Sequence, residues 1–287
     1  MLTLLFDGMA YGMLLYVLAI GLSVTLGLMN FINLAHGAFA MAGGYTLVLL
    51  MQKAGWPFPL GVITAFVVTA CLGLLLEVTL YRRMYDKPHL DQVLFSIGLT
   101  FMSVALIDYT LGSTPQLVQL PESLKGRTEW WDGALSMGHY RLLIILVCGV
   151  LAAVLQTVLS RTRFGAQLRA SVDDRQVAAA MGIRVNLVFM ATFAVGSGLA
   201  GLGGALGAEI LGLDPIFPLK YMIYFLIVVA VGGTTSLTGP LLAALLLGVA
   251  DVMGKYHIPK LGAFMVYVFM VLLLMWRPQG LFGRSTS

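Results

Sequence analysis

The chain of 287 residues is 59% hydrophobic and only 10% charged, whereas about 25% of residues are charged in an ordinary soluble domain. A soluble protein of this length cannot hide so much apolar surface, so the composition excludes a soluble enzyme and predicts an all-α, polytopic membrane protein. The formal net charge of +4 comes mostly from Lys and Arg in short loops between apolar stretches. This pattern indicates a signal for membrane orientation rather than a nucleic-acid-binding surface.

Apolar stretches of about 20 residues, the length that crosses a hydrocarbon core about 30 Å thick, follow one another along the whole chain. The first stretch has features of a signal peptide, but no Lys or Arg precedes it and it is too long for a signal-peptide core, so we expect it to be retained. The predicted spans are 8–28, 34–51, 59–80, 93–111, 141–159, 187–208, two within 219–252, and 261–276.

Lys and Arg set the predicted orientation. They concentrate in the loop 81–92, the segment 160–185 and the tail that begins at Arg277, and placing these on the cytoplasmic side satisfies the positive-inside rule. The tail returns to that side only if the stretch 219–252, interrupted at 232–240, crosses twice. The sequence therefore predicts nine spans in two halves of opposite direction, as in an inverted repeat. One tilted span at 219–252 would instead give eight.

The basic segment 160–185, which follows the fifth predicted span, has the pattern of two short helices. A first helix over 164–172 directs Phe164 and Leu168 to one side and its arginines toward water. Asp173 matches the start of a capping box for a second helix, and Gly182 suits the left-handed position that ends it. Ala178, Ala179 and Ala180 are predicted to form a smooth face between them.

A rigid helix pair of this kind favours a coupling element that seats in a groove of a cytoplasmic motor, because small side chains let the partner's backbone approach closely. The alternative is a basic loop that only fixes the orientation and binds acidic lipid headgroups. The residues assigned to the coupling element are Phe164, Gly165, Leu168, Arg169, Asp173, Asp174, Ala178, Ala179 and Gly182.

Several motifs resemble those of the permease subunits of branched-chain amino acid ABC importers, in the shorter, LivH-like type. The resemblance covers nearly the whole chain. Its motifs are GLMNFINLAHG at 27–37, GGY at 43–45, the segment 165–182, the glycine-rich break at 232–240, and RPQGLFG at 277–283.

The resemblance implies a fold like that of type II ABC importers, located in the bacterial inner membrane. It implies that the segment 165–182 contacts an ATPase subunit. The implied partners are a second, similar permease, two ATP-binding subunits and a periplasmic solute-binding protein. One departure is the run 232–236, GGTTS, where the family more usually has Gly-Gly-x-Gly-Ser, and the extra hydroxyl affects either packing or solute preference.

Polar residues between the first and second spans are candidates for the translocation pathway. Asn30, Asn33 and His36 recur at three-residue spacing, and an unpaired polar group in hydrocarbon costs several kcal/mol, so these side chains must face protein or a water-filled cavity. Either they line the gate of the solute path or they form a network that caps two helix ends. The sequence leaves both interpretations open.

Hydroxyl residues in the break at 232–240 are the second set of pathway candidates. Thr234, Thr235 and Ser236 either contact a polar solute or help to end one helix, while Thr238 caps the next helix. Capping is the favoured interpretation.

Motifs of enzymes and metal sites are not found in the sequence. The run 196–201 matches G-x-G-x-x-G literally, but it lies in an apolar span without a preceding strand, and small residues four apart there favour close helix packing. Glu77, Asp108 and Asp251 lie near span ends, where we expect them to reach an interface rather than relay protons. Cys71 and Cys148 lie inside apolar stretches, so no disulfide is expected. We expect neither cofactor nor metal, and ATP hydrolysis on separate subunits.

The sequence thus predicts one permease domain, 1–287, with the coupling segment 160–185 inside it. The predicted function is translocation of branched-chain or other small amino acids as part of an ABC importer. The alternatives are an ion-coupled secondary transporter, a passive channel, or a permease of the same family for urea, amides or organic acids. Whether the permease pair is homodimeric or heterodimeric stays open.

Overall fold

A computed structural model describes residues 1–29, 31–130, 135–233, 238–277 and 280–281. Within these ranges the chain is almost entirely helical, with one small antiparallel hairpin. The elements are α1 (Leu2–Met29), α2 (His36–Ala54), α3 (Phe58–Thr79), α4 (His89–Leu111), α5 (Glu122–Lys125), β1 (Arg127–Trp130), β2 (Leu135–Gly138), α6 (His139–Arg161), α7 (Arg163–Asp173), α8 (Arg175–Ala180), α9 (Val185–Leu211), α10 (Phe217–Gly232), α11 (Thr238–His257) and α12 (Gly262–Trp276).

Each predicted span corresponds to one long helix of the described chain. Six helices are long and apolar enough to cross a membrane, namely α1, α3 with the turn after it, α4, α6, α9 and α11. α10 and most of α12 are apolar but shorter, and α2 begins and ends with polar residues. The chain is therefore a helical, multi-pass membrane protein.

α1 and α9 lie antiparallel at the centre of the bundle. Leu18 packs against Gly203, and Gly21 packs against Gly196, so the order of contacts reverses along the two helices. The small-residue stripe of α9 lets neighbouring backbones approach closely, because a Cβ at Gly204 would overlap with the carbonyl of Ala40 in α2. This contact confirms the packing interpretation of the glycine motif.

The packing of α1, α2 and α3 is repeated by α9, α10 and α11. α3 packs along α9, and in the same way α11 packs along α1. α2 and α10 also begin next to each other, since Gly37 lies against Pro218, with 2.9 Å between a Cβ built on Gly37 and the Cα of Pro218. His36 at the start of α2 reaches Leu18, about half-way along α1, so α2 begins inside the bundle rather than at its end.

The two ends of the bundle carry different groups. The turn after α3 and the helices α7 and α8 share one end, where Arg175 pairs with Asp86 at 3.3 Å. Lys220 near the beginning of α10 and Lys255 near the end of α11 line one cavity together with Asp7 near the start of α1, so these parts of the chain lie toward the opposite end. The interrupted apolar stretch 219–252 is therefore a helical hairpin whose open ends lie away from α7 and α8.

Candidate functional site

The start of α8 is fixed by a side-chain cap. The carboxylate of Asp174 accepts hydrogen bonds from the backbone N–H groups of Gln176 and Val177, both at 2.9 Å. The prediction of Asp173 as the cap was wrong by one residue. Asp173 is the last residue of α7, whereas Asp174 has the extended backbone, φ −152° and ψ 106°, that an N-cap requires.

The end of α8 confirms the role predicted for Gly182. This residue has a φ of +85°, which glycine adopts without the steric cost that a Cβ imposes. The N–H of Gly182 donates to the carbonyl of Ala179 at 3.0 Å, and the N–H of Ile183 donates to Ala178 at 3.1 Å. This pair of hydrogen bonds is a Schellman motif, which turns the chain sharply toward α9.

α7 is anchored tightly to the end of α6. A Cβ at Gly165 would overlap with the carbonyl of Leu159, and the Leu168 side chain is fully buried. The guanidinium of Arg169 donates to the same Leu159 carbonyl, one of the terminal helix carbonyls that lack an intrahelical partner. Arg169 is thus an anchor as well as an exposed charge, and half-buried Phe164 packs against the core beside it.

The predicted alanine face does not exist as a single face. Ala178 is buried against the protein while Ala179 and Ala180 are exposed, because successive residues of an α-helix point about 100° apart. The most exposed apolar side chains are instead Val177 and Met181, at 55% and 78% of their full accessibility. They lie four residues apart and so share one face, which we call the α8 outer face (Val177, Ala180 and Met181).

Arg175 links α8 to two other parts of the bundle, and the sequence interpretation missed it. Its guanidinium donates to Asp86 in the turn after α3 at 3.3 Å and to Asn186 at the start of α9 at 3.0 Å. It also lies over the ring of Phe189, 6.0 Å from the centroid. The sequence signal was Asp86, an acid among the basic residues of the loop 81–92, which also contains Asp91.

A buried glutamate lies at the same end. Glu77 is fully buried, and its two oxygens bond to Arg82 and to the hydroxyl of Tyr85, both at 3.3 Å. The expectation that Glu77 reaches an interface was therefore wrong. Burial raises the pKa of the Tyr85 hydroxyl and the neighbouring charge of Glu77 raises it further, so the hydroxyl stays protonated and donates.

Two of the polar candidates between the first and second spans, Asn33 and His36, bond to groups within the protein. Asn33 is buried, and its side-chain oxygen accepts from the N–H of Ala35 at 3.1 Å and from the hydroxyl of Tyr81 at 3.0 Å. His36 is also buried, and its Nε2 donates to the carbonyl of Leu18 at 2.8 Å. Both side chains are thus satisfied within the protein, but Leu18 lies about half-way along α1 and no side chain caps the start of α2, so these contacts do not cap two helix ends as one interpretation predicted.

The other predicted pathway residues lie outside the described residues. They are Asn30, Thr234, Thr235 and Ser236. The pathway role of both sets therefore stays a prediction.

α4 supports the turn between α1 and α2 with three polar side chains. Gln92 accepts from the N–H of Ile32 at 3.3 Å, while the hydroxyls of Ser96 and Thr100 donate to the carbonyls of Ile32 at 3.5 Å and Leu34 at 3.4 Å. Gln92, Ser96 and Thr100 are the side chains of α4 that are buried. Their spacing of four residues in an apolar helix was the sequence signal for this contact.

A cavity of about 570 Å³ lies between α2, α3 and α4, next to this turn. Ala35 and Tyr81 form the end near the turn. The remaining walls are nearly all apolar, and they include Phe39, Leu76, Leu99 and Met102. The cavity is therefore large and apolar enough to hold an aliphatic group.

Comparisons with known proteins agree with this architecture. A family model described as "Branched-chain amino acid transport system / permease component" matches residues 4–275. The branched-chain amino acid permease protein LivH of Escherichia coli K12 is 25% identical, covering 98% of this chain and 94% of that protein. The permease protein BraD of Pseudomonas aeruginosa is 27% identical, with coverages of 98% and 95%.

A second type of permease protein also matches. LivM of Escherichia coli K12 is 26% identical over 94% of this chain but only 68% of its own length. No solved structure matches the chain at the same level of significance.

Proposed function

Because the chain belongs to the branched-chain amino acid transport permease family, we propose that it is one permease subunit of an ATP-driven importer. Its solutes are branched-chain or other small apolar amino acids, which it carries across the bacterial inner membrane. The observation that carries the proposal is the pair α7–α8, fixed to the end of the bundle and presenting an apolar surface outward. ATP hydrolysis takes place on separate subunits.

The surface chemistry of α8 supports a protein partner over a lipid surface. The α8 outer face is apolar, and a contiguous exposed apolar surface at the water-facing end of a membrane protein is typical of a protein interface. Arg175, the basic residue of α8, bonds to Asp86 and Asn186 rather than pointing at the membrane. The partners that we propose are two ATP-binding subunits, a second homologous permease and a periplasmic solute-binding protein.

The nine helices of the described residues that match the predicted spans are proposed to cross the membrane nine times. The hairpin of α10 and α11 supports this number, because both of its open ends lie at the end opposite α7 and α8. The repeated packing of α1–α3 and α9–α11 supports an inverted repeat, in which transporters commonly place the solute path between the halves. Nine crossings put the amino terminus outside and the basic loops inside.

A chain of aromatic contacts supports a route from α8 to the turn between α1 and α2. Arg175 lies over Phe189, whose ring packs edge-on against Tyr85 with 5.9 Å between centroids. Tyr85 packs in the same way against Phe31, at 5.6 Å. Movement of α8 by a motor would therefore reach the turn that begins α2 through these packed side chains.

The apolar cavity between α2, α3 and α4 supports the solute class. It lies beside that turn, and its walls suit a branched aliphatic side chain better than urea, an amide or an organic acid. The relatives are all named as branched-chain amino acid permeases.

The proposal is tested with the transporter assembled in liposomes from this chain and its partner subunits. We expect uptake of radiolabelled L-leucine that requires both ATP and the solute-binding protein. Uptake by this chain alone, driven by a proton or sodium gradient, would instead establish the secondary transporter. Uptake without ATP or any gradient would establish a channel.

The docking role of α8 is tested by Met181→Glu, which places a charge on the α8 outer face. Loss of one well-packed interface residue costs more than about 1 kcal/mol, so we expect co-purification of the ATP-binding subunits and leucine uptake to fall roughly tenfold. The matched control is Thr114→Glu, which adds the same charge to an exposed position after α4, outside the segment 165–182. Equal behaviour of the two variants would contradict docking through α8.

A further inference from the structure

A small polar cavity lies at the end of the bundle opposite α7 and α8. Five helices build it: the beginnings of α1, α6 and α10 and the ends of α9 and α11. Its volume of about 280 Å³ lies just below the range of about 300–1,000 Å³ that is usual for small-molecule sites, so it fits a small solute rather than a peptide. Its charged and aromatic lining includes Asp7, Tyr11, Arg141, Lys220, Asp251 and Lys255.

Two acids in this cavity, Asp7 and Asp251, each use only one of their two carboxylate oxygens in contacts with the described residues. Asp7 pairs with Arg141, and Oδ2 of Asp251 lies 2.6 Å from the ammonium of Lys255. The second oxygen, Oδ1, of each carboxylate is buried and has no hydrogen-bond partner among the described residues, and Asp251 is only 2% exposed. A buried acceptor without a partner is costly, so a further N–H donor at these oxygens would stabilise the cavity.

The cationic side chains of the cavity keep N–H groups that can still bond to a ligand. The side chains of Lys220 and Lys255 are 51% exposed and that of Arg141 is 38% exposed, so each keeps N–H groups that can bond to a carboxylate. Counting Asp214, 3.8 Å from Lys220, three cations face three carboxylates. Equal numbers of positive and negative side chains favour a ligand that carries one positive and one negative group and has no net charge.

We propose that this cavity binds the zwitterionic head of an amino acid. Its carboxylate draws the ammonium groups of Lys220 and Lys255 toward itself, and the displacement of Lys255 from its pair with Asp251 uncovers that carboxylate, which then accepts from the ligand's ammonium group together with Asp7. Tyr11 lies under the ammonium of Lys255, 5.8 Å from ring centroid to Nζ, and forms part of the wall. The inference rests on the proposed function, and it adds an intermediate binding site for the solute at the end of the bundle where the solute enters.

The test measures direct binding to the purified transporter complex without the solute-binding protein. Radiolabelled L-leucine is the probe, and the competitors are 3-methylbutylamine, which lacks the carboxylate, and 4-methylpentanoate, which lacks the ammonium. We expect each analogue to compete at least about tenfold more weakly than leucine, because each leaves one half of the cavity unpaired.

Two variants separate the two halves of the cavity. Asp251→Asn is expected to weaken the binding of leucine and of 3-methylbutylamine about tenfold. Lys255→Gln is expected to weaken binding of leucine and of 4-methylpentanoate by a similar factor without weakening binding of 3-methylbutylamine, because it also removes the ammonium that competes for Asp251. The matched control is Asp108→Asn, which removes an exposed carboxylate at the end of α4 that does not line the cavity. It is expected to leave the affinities for leucine and for both analogues unchanged. If Asp251→Asn fails to fold, Lys255→Gln carries the test, because it alters a half-exposed side chain.

Several outcomes would overturn the inference. One is leucine affinity that is unchanged in Asp251→Asn and Lys255→Gln, and another is binding of radioactive sodium, but not leucine, that Asp251→Asn abolishes. The proposed function is tested separately. If ATP-driven leucine uptake occurs but both variants bind leucine with unchanged affinity, only the cavity inference is contradicted. If leucine binds but no ATP-driven uptake occurs, only the importer function is contradicted.

Discussion

The two ends of the bundle handle buried charge in opposite ways. At the end that carries α7 and α8, both oxygens of the buried Glu77 are bonded, and the guanidinium of Arg175 reaches two side-chain oxygens and one aromatic ring. At the other end, Asp7 and Asp251 each leave one buried oxygen unpaired. A fully bonded carboxylate helps to make a structure rigid, although Nε of Arg82, the partner of Glu77, is itself buried without a partner among the described residues. The difference between the carboxylates fits the proposed roles of the first end in coupling and of the second in solute binding.

The largest expected effect comes from breaking the anchor of the first end with Gly165→Ala. The added Cβ overlaps with the carbonyl of Leu159, and backbone cannot yield as a flexible side chain can, so overpacking costs about 1–3 kcal/mol. We expect ATP-driven leucine uptake to be lost, because α7 no longer seats on α6, together with a lower midpoint of thermal unfolding of the purified chain.

The control for this anchor is Gly98→Ala in α4, where a Cβ meets nothing within 4 Å. It is expected to leave uptake unchanged and to stabilise the helix slightly, by up to about 1 kcal/mol. Normal uptake by Gly165→Ala would show that the α6–α7 contact is not needed.

An intermediate effect is expected for Arg175→Met, which keeps most of the side-chain length but removes the bonds to Asp86 and Asn186. ATP hydrolysis by the complex should continue while leucine uptake per ATP falls roughly tenfold, because a lost charged hydrogen bond is worth about 1.5–3 kcal/mol. Arg163→Met, an exposed position at the start of α7, serves as the control. A parallel fall in hydrolysis and uptake would indicate lost assembly rather than lost coupling.

The smallest effect is expected for Tyr85→Phe. It keeps the ring contacts with Phe31 and Phe189 and removes only the hydrogen bond to Glu77. A loss of about 1–2 kcal/mol in the free energy of unfolding is expected, read as a fall of a few degrees in the unfolding midpoint. An unchanged midpoint would mean that Arg82 alone satisfies Glu77.

Local features of this fold could be predicted from the sequence because their causes are local. Apolar length located the long helices, and Gly182 marked the end of α8 because a left-handed residue after a helix favours glycine. The cap was misplaced between Asp173 and Asp174 because two adjacent acids offer the same chemistry, and only the backbone angles distinguish them.

Contacts between distant parts of the chain could not be predicted. Arg175 looked like one more basic loop residue because its partner Asp86 is 89 positions away. The outer cavity draws its lining from five helices, and in the sequence its charges appear only as isolated residues near span ends. The alanine run misled the prediction because composition does not show which of three neighbouring positions turns inward.

The glycines of α9 limit which parts of the transporter can move. Where backbones touch directly, as at Gly204 with Ala40 and at Gly43 with Gly201, no side chain lies between the helices that could change rotamer and let them slide. α2 and α9 are then expected to move as one block. α4 is held mainly by Gln92, Ser96 and Thr100, so the hinge between open and closed forms is expected along its border, at the turn where α2 begins.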